Sequence, residues 1–145
     1  MNSALNLSLD FRIPSEYIGD EQQRLRAYKK IADAKNVEEA ERVQAELADR
    51  YGPVPLAVNT LVRFALLKVE SQKLGIEAVD RWGTAISIKF HPGSRIDPQK
   101  LMALLSSQST AKFTPAGVLQ LQLPGPADQP AAVLDFLKSS LHQLE

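Results

Sequence analysis

Glycine and proline fall together at Gly52-Pro53-Val54-Pro55, directly after the charged run Ala45-Glu46-Leu47-Ala48-Asp49-Arg50-Tyr51. This junction constrains the fold more than any other stretch. Gly52 stands where a helix must turn left-handed to stop, a conformation that glycine adopts without steric cost. Pro53 and Pro55 cannot continue the old helix but can stand at the start of a new one. Glu46 and Asp49 lie near the end of the helix that precedes the junction, where the macrodipole disfavours negative charge. Arg42, Glu46 and Asp49, at i, i+4 and i+7, share its outward face. Two readings stay open. The acids pair with Arg42 and Arg50 as solvated charges, or they serve a partner.

The 145 residues suffice for one domain that buries roughly two-thirds of its unfolded surface. We read residues 1–145 as a single domain, helical over about 15–75 and built of sheet and helix over about 76–145. There are no cysteines, so neither disulfides nor thiol chemistry apply, as suits a reducing compartment. Acidic and basic residues balance at 17 each. A general nucleic-acid binder would carry a basic excess, and a polybasic membrane anchor would too. No apolar run approaches the ~18 residues of a membrane span, and the N-terminus lacks a secretory pattern. The expected location is the cytoplasm.

Leu5, Leu7, Leu9, Phe11 and Ile13 alternate with polar residues and predict a strand closed by Pro14. Asp20 and Asn36 are expected helix caps, with Gln23 and Glu39 at the reciprocal positions. Leu25, Tyr28, Ile31 and Ala32 form the apolar stripe of the first helix. Ala40, Val43, Leu47 and Tyr51 form that of the second. Leu56–Leu74 is apolar most of the way round and predicts a buried helix, ended by Gly75. It would be the spine joining the two halves. The second half reads ββαββα. Ile76–Val79 and Ile86–Phe90 flank a turn at Trp82, and Asp97-Pro98 opens a helix. Lys112-Phe113 and Val118–Leu123 are further strands, and Asp128 caps a last helix through Leu144. Trp82, at a hairpin tip, is expected to cover the edge of a core. An N-terminal strand and three helices packed with a small, mostly antiparallel sheet make the fold α+β.

Chemistry is sparse. The seven glycines are scattered and form no phosphate-cradling loop. His91 sits in a turn and His142 in a last helical turn, so no metal-ligand spacing arises. Ser106, Ser107 and Ser109 have no histidine motif to activate them. Residues 15–55 hold 9 acids and 7 bases, a density that marks a solvated helical surface first and a charged docking face second.

Three stretches resemble the C-terminal, TRCF-type domain of the bacterial transcription-repair coupling factors (Mfd). They are Phe11-Arg12-Ile13-Pro14-Ser15-Glu16-Tyr17-Ile18, Arg24-Leu25-Arg26-Ala27-Tyr28-Lys29-Lys30-Ile31, and Glu46 through Pro55. The family pattern is an IP-x-x-YI strand exit, an RL-x-x-Y-x-x-I helix and an EL-x-DR-[FY]-GP-x-P junction. Tyr51 stands where Phe is common, and Gly19 where Pro often stands. The resemblance is marked over residues ~5–75 and rests beyond that on length and pattern.

The resemblance implies a regulatory domain, without catalysis or cofactor, of a multidomain DNA translocase that displaces stalled RNA polymerase and recruits UvrA. The domain would dock on the UvrB-like N-terminal module of its own parent. There it would mask the UvrA-binding surface until RNA polymerase is engaged. Glu46 and Asp49, framed by Arg42 and Arg50, would meet basic residues of that module. The alternatives are an external protein partner, a nucleic-acid-binding domain, which zero net charge disfavours, and an enzyme with an unusual site.

Overall fold

A computed structural model describes residues 2–126 and 129–145. The element order is β1 (Ala4–Asn6), α1 (Glu21–Ala32), α2 (Val37–Tyr51), α3 (Leu56–Lys73), β2 (Ile76–Trp82), β3 (Ala85–Phe90), α4 (Pro98–Ser107), β4 (Lys112–Phe113), β5 (Val118–Gln122) and α5 (Pro130–His142). The fold is α+β, as expected. The chain divides into two compact units, with the division inside α3. One holds the residues up to Leu9 together with Glu70–Glu145, and the other Asp10–Val69.

The first unit carries a five-stranded sheet in the order β1-β2-β3-β5-β4. Only β1 and β2 run parallel, in the register Ala4↔Ala78. The other neighbours are antiparallel. Ile86, Ile88, Leu119 and Leu121 turn into the core from alternate positions of β3 and β5, where Leu104 of α4 and Val133, Leu137 and Leu141 of α5 are also buried. Asp97 caps α4 by accepting from the Gln99 N–H at 2.9 Å, with Pro98 in the first turn. At α5 the N-cap position is Gln129, and Asp128 lies outside the described residues.

Alternation over residues 5–13 predicts one long strand, but the ladder ends at Asn6. The burial pattern nevertheless persists, with Leu7 and Ile13 buried and Asn6, Ser8, Asp10 and Arg12 exposed. The period reports which side faces inward and says nothing of pairing. Ser8 takes a positive φ of 54°, which no continuing strand can follow. The freed carbonyls find another donor. The Arg81 guanidinium donates to Leu7 O at 2.6 Å, Ser8 O at 3.1 Å and Gly83 O at 2.7 Å. Trp82 also departs from expectation. It is 68% exposed, beyond the edge of the core.

In the second unit, Ala27 and Ile31 of α1, Ala40 and Leu47 of α2, and Val58 and Val62 of α3 form one cluster with Ile13 and Ile18. Phe11 stacks on Phe64 with ring centroids 4.4 Å apart. Residues 57–67 of α3 are all buried or half-buried, as the all-round apolar pattern predicts. The stripe of α1 is narrower than predicted. Leu25 is 56% exposed and Ala32 is exposed. Leu25 lies two residues from Ala27, about 200° around the helix, so the two cannot face one core.

Candidate functional site

The three sequence motifs meet inside the second unit. The Tyr28 hydroxyl accepts from the Ile13 N–H at 2.6 Å, and the Arg24 guanidinium donates to Ile18 O at 2.8 Å and Gly19 O at 3.0 Å. The helix motif is thereby tied to the strand exit. The Tyr17 hydroxyl donates to Gly52 O at 2.9 Å, which ties the strand exit to the junction. Tyr51 crosses to α1, donating to Gln23 Oε1 at 2.9 Å, and packs edge-on against Tyr17 at 5.8 Å. Burial and the neighbouring Tyr51 raise the Tyr17 hydroxyl pKa. These residues hold helix ends in place, and their polar atoms are spent on one another.

The end of α2 is built accordingly. Asn36 accepts from the Glu39 N–H at 2.8 Å, while the Glu39 carboxylate takes the Lys35 N–H, one residue before the expected box partner. Gly52 ends the helix at φ 92°, donating to Ala48 O at 2.9 Å. Between these caps Leu47 is buried and Arg42, Glu46, Asp49 and Arg50 are exposed.

The structure places the four candidate residues on or beside one face but does not pair them as expected. Glu46 Oε1 lies 2.6 Å from Lys30 Nζ on α1, so its cation comes from the neighbouring helix and not from Arg42 or Arg50. The hydrogen bond and charge of Lys30, with a smaller contribution from Arg50, lower the Glu46 pKa below the usual carboxylate value. Arg50 lies over the ring of its neighbour Tyr51, 5.4 Å from the centroid. Among the described residues, Arg42 and Asp49 form no ion pair. An open groove of about 440 Å³ runs beside Lys30, Asp33, Glu39, Arg42 and Glu46. Lys30 is the residue that sequence reasoning missed. It belongs to the second motif, but nothing in helical spacing says which helix will lie against it.

No group of three or more His, Cys, Asp or Glu side chains comes together among the described residues. No helix among them is long and apolar enough to cross a membrane.

Fold and face together define an α+β domain that presents a charged helix end from a tied helical unit. Residues 7–101 match the TRCF domain family. The transcription-repair-coupling factor of Escherichia coli strain K12 is 35% identical over 104 residues, which is 72% of this chain and 9% of that protein. That of Myxococcus xanthus is 28% identical over 137 residues, 94% of this chain and 11% of that protein. A crystal structure of the C-terminal domain of transcription-repair coupling factor matches with a TM-score of 0.84 at 26% identity, over 99% of this chain and 91% of that chain. The chain belongs to the TRCF family and is the C-terminal domain of a transcription-repair coupling factor. It spans about a tenth of the length of the curated relatives it matches. As such it is a domain distinct from an ATPase module.

Proposed function

We propose that this domain is a non-catalytic regulatory latch, acting in the cytoplasm. It docks on the UvrB-like N-terminal module of its own parent protein, masks the UvrA-binding surface there, and lets go when the parent engages RNA polymerase. The observation that carries the reading is the end of α2. Glu46, Asp49 and Arg42 stand exposed on one helix face whose inward side is fixed by the core, and among the described residues only Glu46 of the three is engaged in an ion pair, with Lys30. The fold gains little from placing acids at that helix end. Asp49 is available to basic groups on a partner, and the exposed Glu46–Lys30 pair can be exchanged for one with a partner cation.

Exposed ion pairs are individually weak and screened by salt. That suits a latch that must open. Within one protein the tether supplies an effective concentration of roughly millimolar for a short linker, so a weak contact suffices to keep the resting state closed. Direct nucleic-acid binding is not part of this reading, since the chain carries no net charge.

The test is a titration of the chain against the parent's N-terminal module at low and moderate salt, with a Glu46→Lys, Asp49→Lys variant. Salt-sensitive binding lost in the variant supports the latch. Adding Lys30→Glu to that variant rebuilds a reversed pair between α1 and α2 but leaves the outward charge altered. Binding restored by it would mean that Glu46 acts only through its own fold. No binding by folded protein would point to an external partner.

A further inference from the structure

The sheet ends at β4, and among the described residues no strand pairs with its outer edge. The Thr114 N–H donates to Val118 O at 2.9 Å, which makes 114/118 a hydrogen-bonded pair. Antiparallel pairs alternate between bonded and non-bonded, and the register runs Phe113↔Leu119 and Lys112↔Gln120. Phe113 therefore falls in a non-bonded pair and turns both its N–H and its C=O to the free edge. Its side chain is 42% exposed and tilts toward Phe90 at a centroid distance of 6.4 Å.

Beside this edge lies a cleft of about 610 Å³ lined by Phe90, Ile96, Leu101, Phe113 and Pro115. A volume of this size with mostly apolar walls is typical of a ligand site. Its polar corner is already occupied. Glu77 pairs with Lys89 at 3.1 Å and faces His91 at 3.8 Å, and Asp97 is spent on capping α4. With Glu77 and Lys89 paired, the bases Arg95 and Lys112 outnumber the one remaining acid, Asp97, which keeps its charge while capping α4. Lys112 and Arg95, adjacent in sequence to the lining residues, are exposed and form no ion pair among the described residues.

We propose that this cleft and the β4 edge form a docking site for an extended, acidic peptide segment of a partner protein. One apolar side chain enters between Phe90, Leu101 and Phe113. The peptide backbone pairs with the N–H and C=O of Phe113, as in strand addition. Acidic residues meet Arg95 next to the cleft and Lys112, which strand alternation turns to the opposite face of β4, beside Gln120. The backbone supplies an orientation, the cleft an anchor and the rim a sign of charge. The two-residue strand limits the number of ladder bonds, so the anchor carries most of the affinity. The site is independent of the latch, since every residue lining the cleft lies in the sheet-bearing unit.

The test is an amide chemical-shift titration of the 145-residue chain with a capped peptide, Glu-Asp-Val-Leu-Val-Asp-Glu, and with its counterpart in which lysines replace the four acids. The acidic peptide should shift the amides of Phe113, His91, Ser94 and Leu101 saturably, with the lysine peptide binding at least roughly tenfold more weakly. Phe113→Ser should abolish the shifts. Because that variant also loses an aromatic contact, Lys112→Glu with Arg95→Glu provides the second check. It should invert the preference toward the lysine peptide, which mere loosening of the fold would not do. The proposal is overturned if neither peptide moves these amides at about 1 mM, the weak end of specific recognition. Equal binding of both peptides, or shifts confined to α2, would overturn it as well.

Discussion

Replacing Gly75 with alanine should destabilise the sheet-bearing unit far more than a surface substitution. Gly75 has a φ of +71°, where an L residue costs about 1–2 kcal/mol. Space adds a second cost. A Cβ at this position would stand 3.0 Å from both Cβ and Oγ of Ser94 and 3.1 Å from its Cα. Ser94 cannot easily yield. Its hydroxyl donates to Leu74 O at 2.7 Å, and its N–H donates to His91 O at 2.9 Å. His91 is in turn held by its own N–H to Gly75 O at 2.8 Å. Overpacking against a fixed neighbour costs about 1–3 kcal/mol, so Gly75→Ala should cost about 2–5 kcal/mol in all. Urea unfolding followed through Trp82, the single tryptophan, reports on the same unit. With a slope near 2 kcal/mol/M, the midpoint should fall by about 1–2.5 M. In a Ser94→Gly background most of the packing part should disappear, since only the contact with the residue 94 Cα is left, and the loss should fall toward the backbone part of about 1–2 kcal/mol. An equal loss in both backgrounds would refute the steric argument, and a loss below about 1 kcal/mol would refute both parts.

Other consequences follow from single contacts. Tyr17→Phe removes the donor to Gly52 O and should cost about 0.5–1.5 kcal/mol in urea unfolding monitored by circular dichroism, without loss of helix at low denaturant. The Glu46 carboxyl should titrate below the usual value by NMR, and Lys30→Ala should return its midpoint upward. Because its folded pKa is lowered, its small stabilising contribution is present above the ordinary carboxyl value and fades as pH falls through the folded one. Glu70 has the opposite sign. Burial and the nearby Glu145 raise its pKa, against the opposing charges of Lys138, His142 and Lys73. The fold therefore favours its protonated form, and stability from this group is lost as pH rises through the raised value. Glu70→Gln should gain melting temperature relative to the parent as pH goes from about 4 to 7. A pH-independent difference would argue against the burial effect.

Much of this architecture was legible because it is local. Asp20, Asn36 and Asp97 each accept the backbone N–H that a cap should accept, and the alternation of β3 and β5 places Ile86, Ile88, Leu119 and Leu121 inside. The period of 100° per residue likewise placed Arg42, Glu46 and Asp49 on one exposed face. What failed depends on neighbours. Residues 7–13 keep a strand's alternation without a strand's partner, because Ser8 bends away and Arg81 takes the carbonyls. The chemistry of Leu25 points to the core, but its angle from Ala27 puts it in solvent. The partner of Glu46 lies on another helix, a choice made by packing and not by spacing. The cleft beside Phe113 has no sequence signature, since a two-residue strand has no period to read.

The tie from Tyr17 to Gly52 divides the residues of the third motif into two kinds. Leu47, Tyr51 and Gly52 are required by the unit's own architecture, through burial, a hydroxyl bridge and a backbone turn. Glu46 and Asp49 sit among them, fully interleaved, and nothing in the interior asks for an acid at either place. On the proposed latch reading, folding and docking are written in the same ten letters but in different ones. A descendant that gave up the docking role would be free to lose Glu46 and Asp49 while keeping every residue that makes it recognisable. Membership of the family and the proposed latch would then be separable traits, and positions 46 and 49 are where a lineage would show that it had kept one without the other.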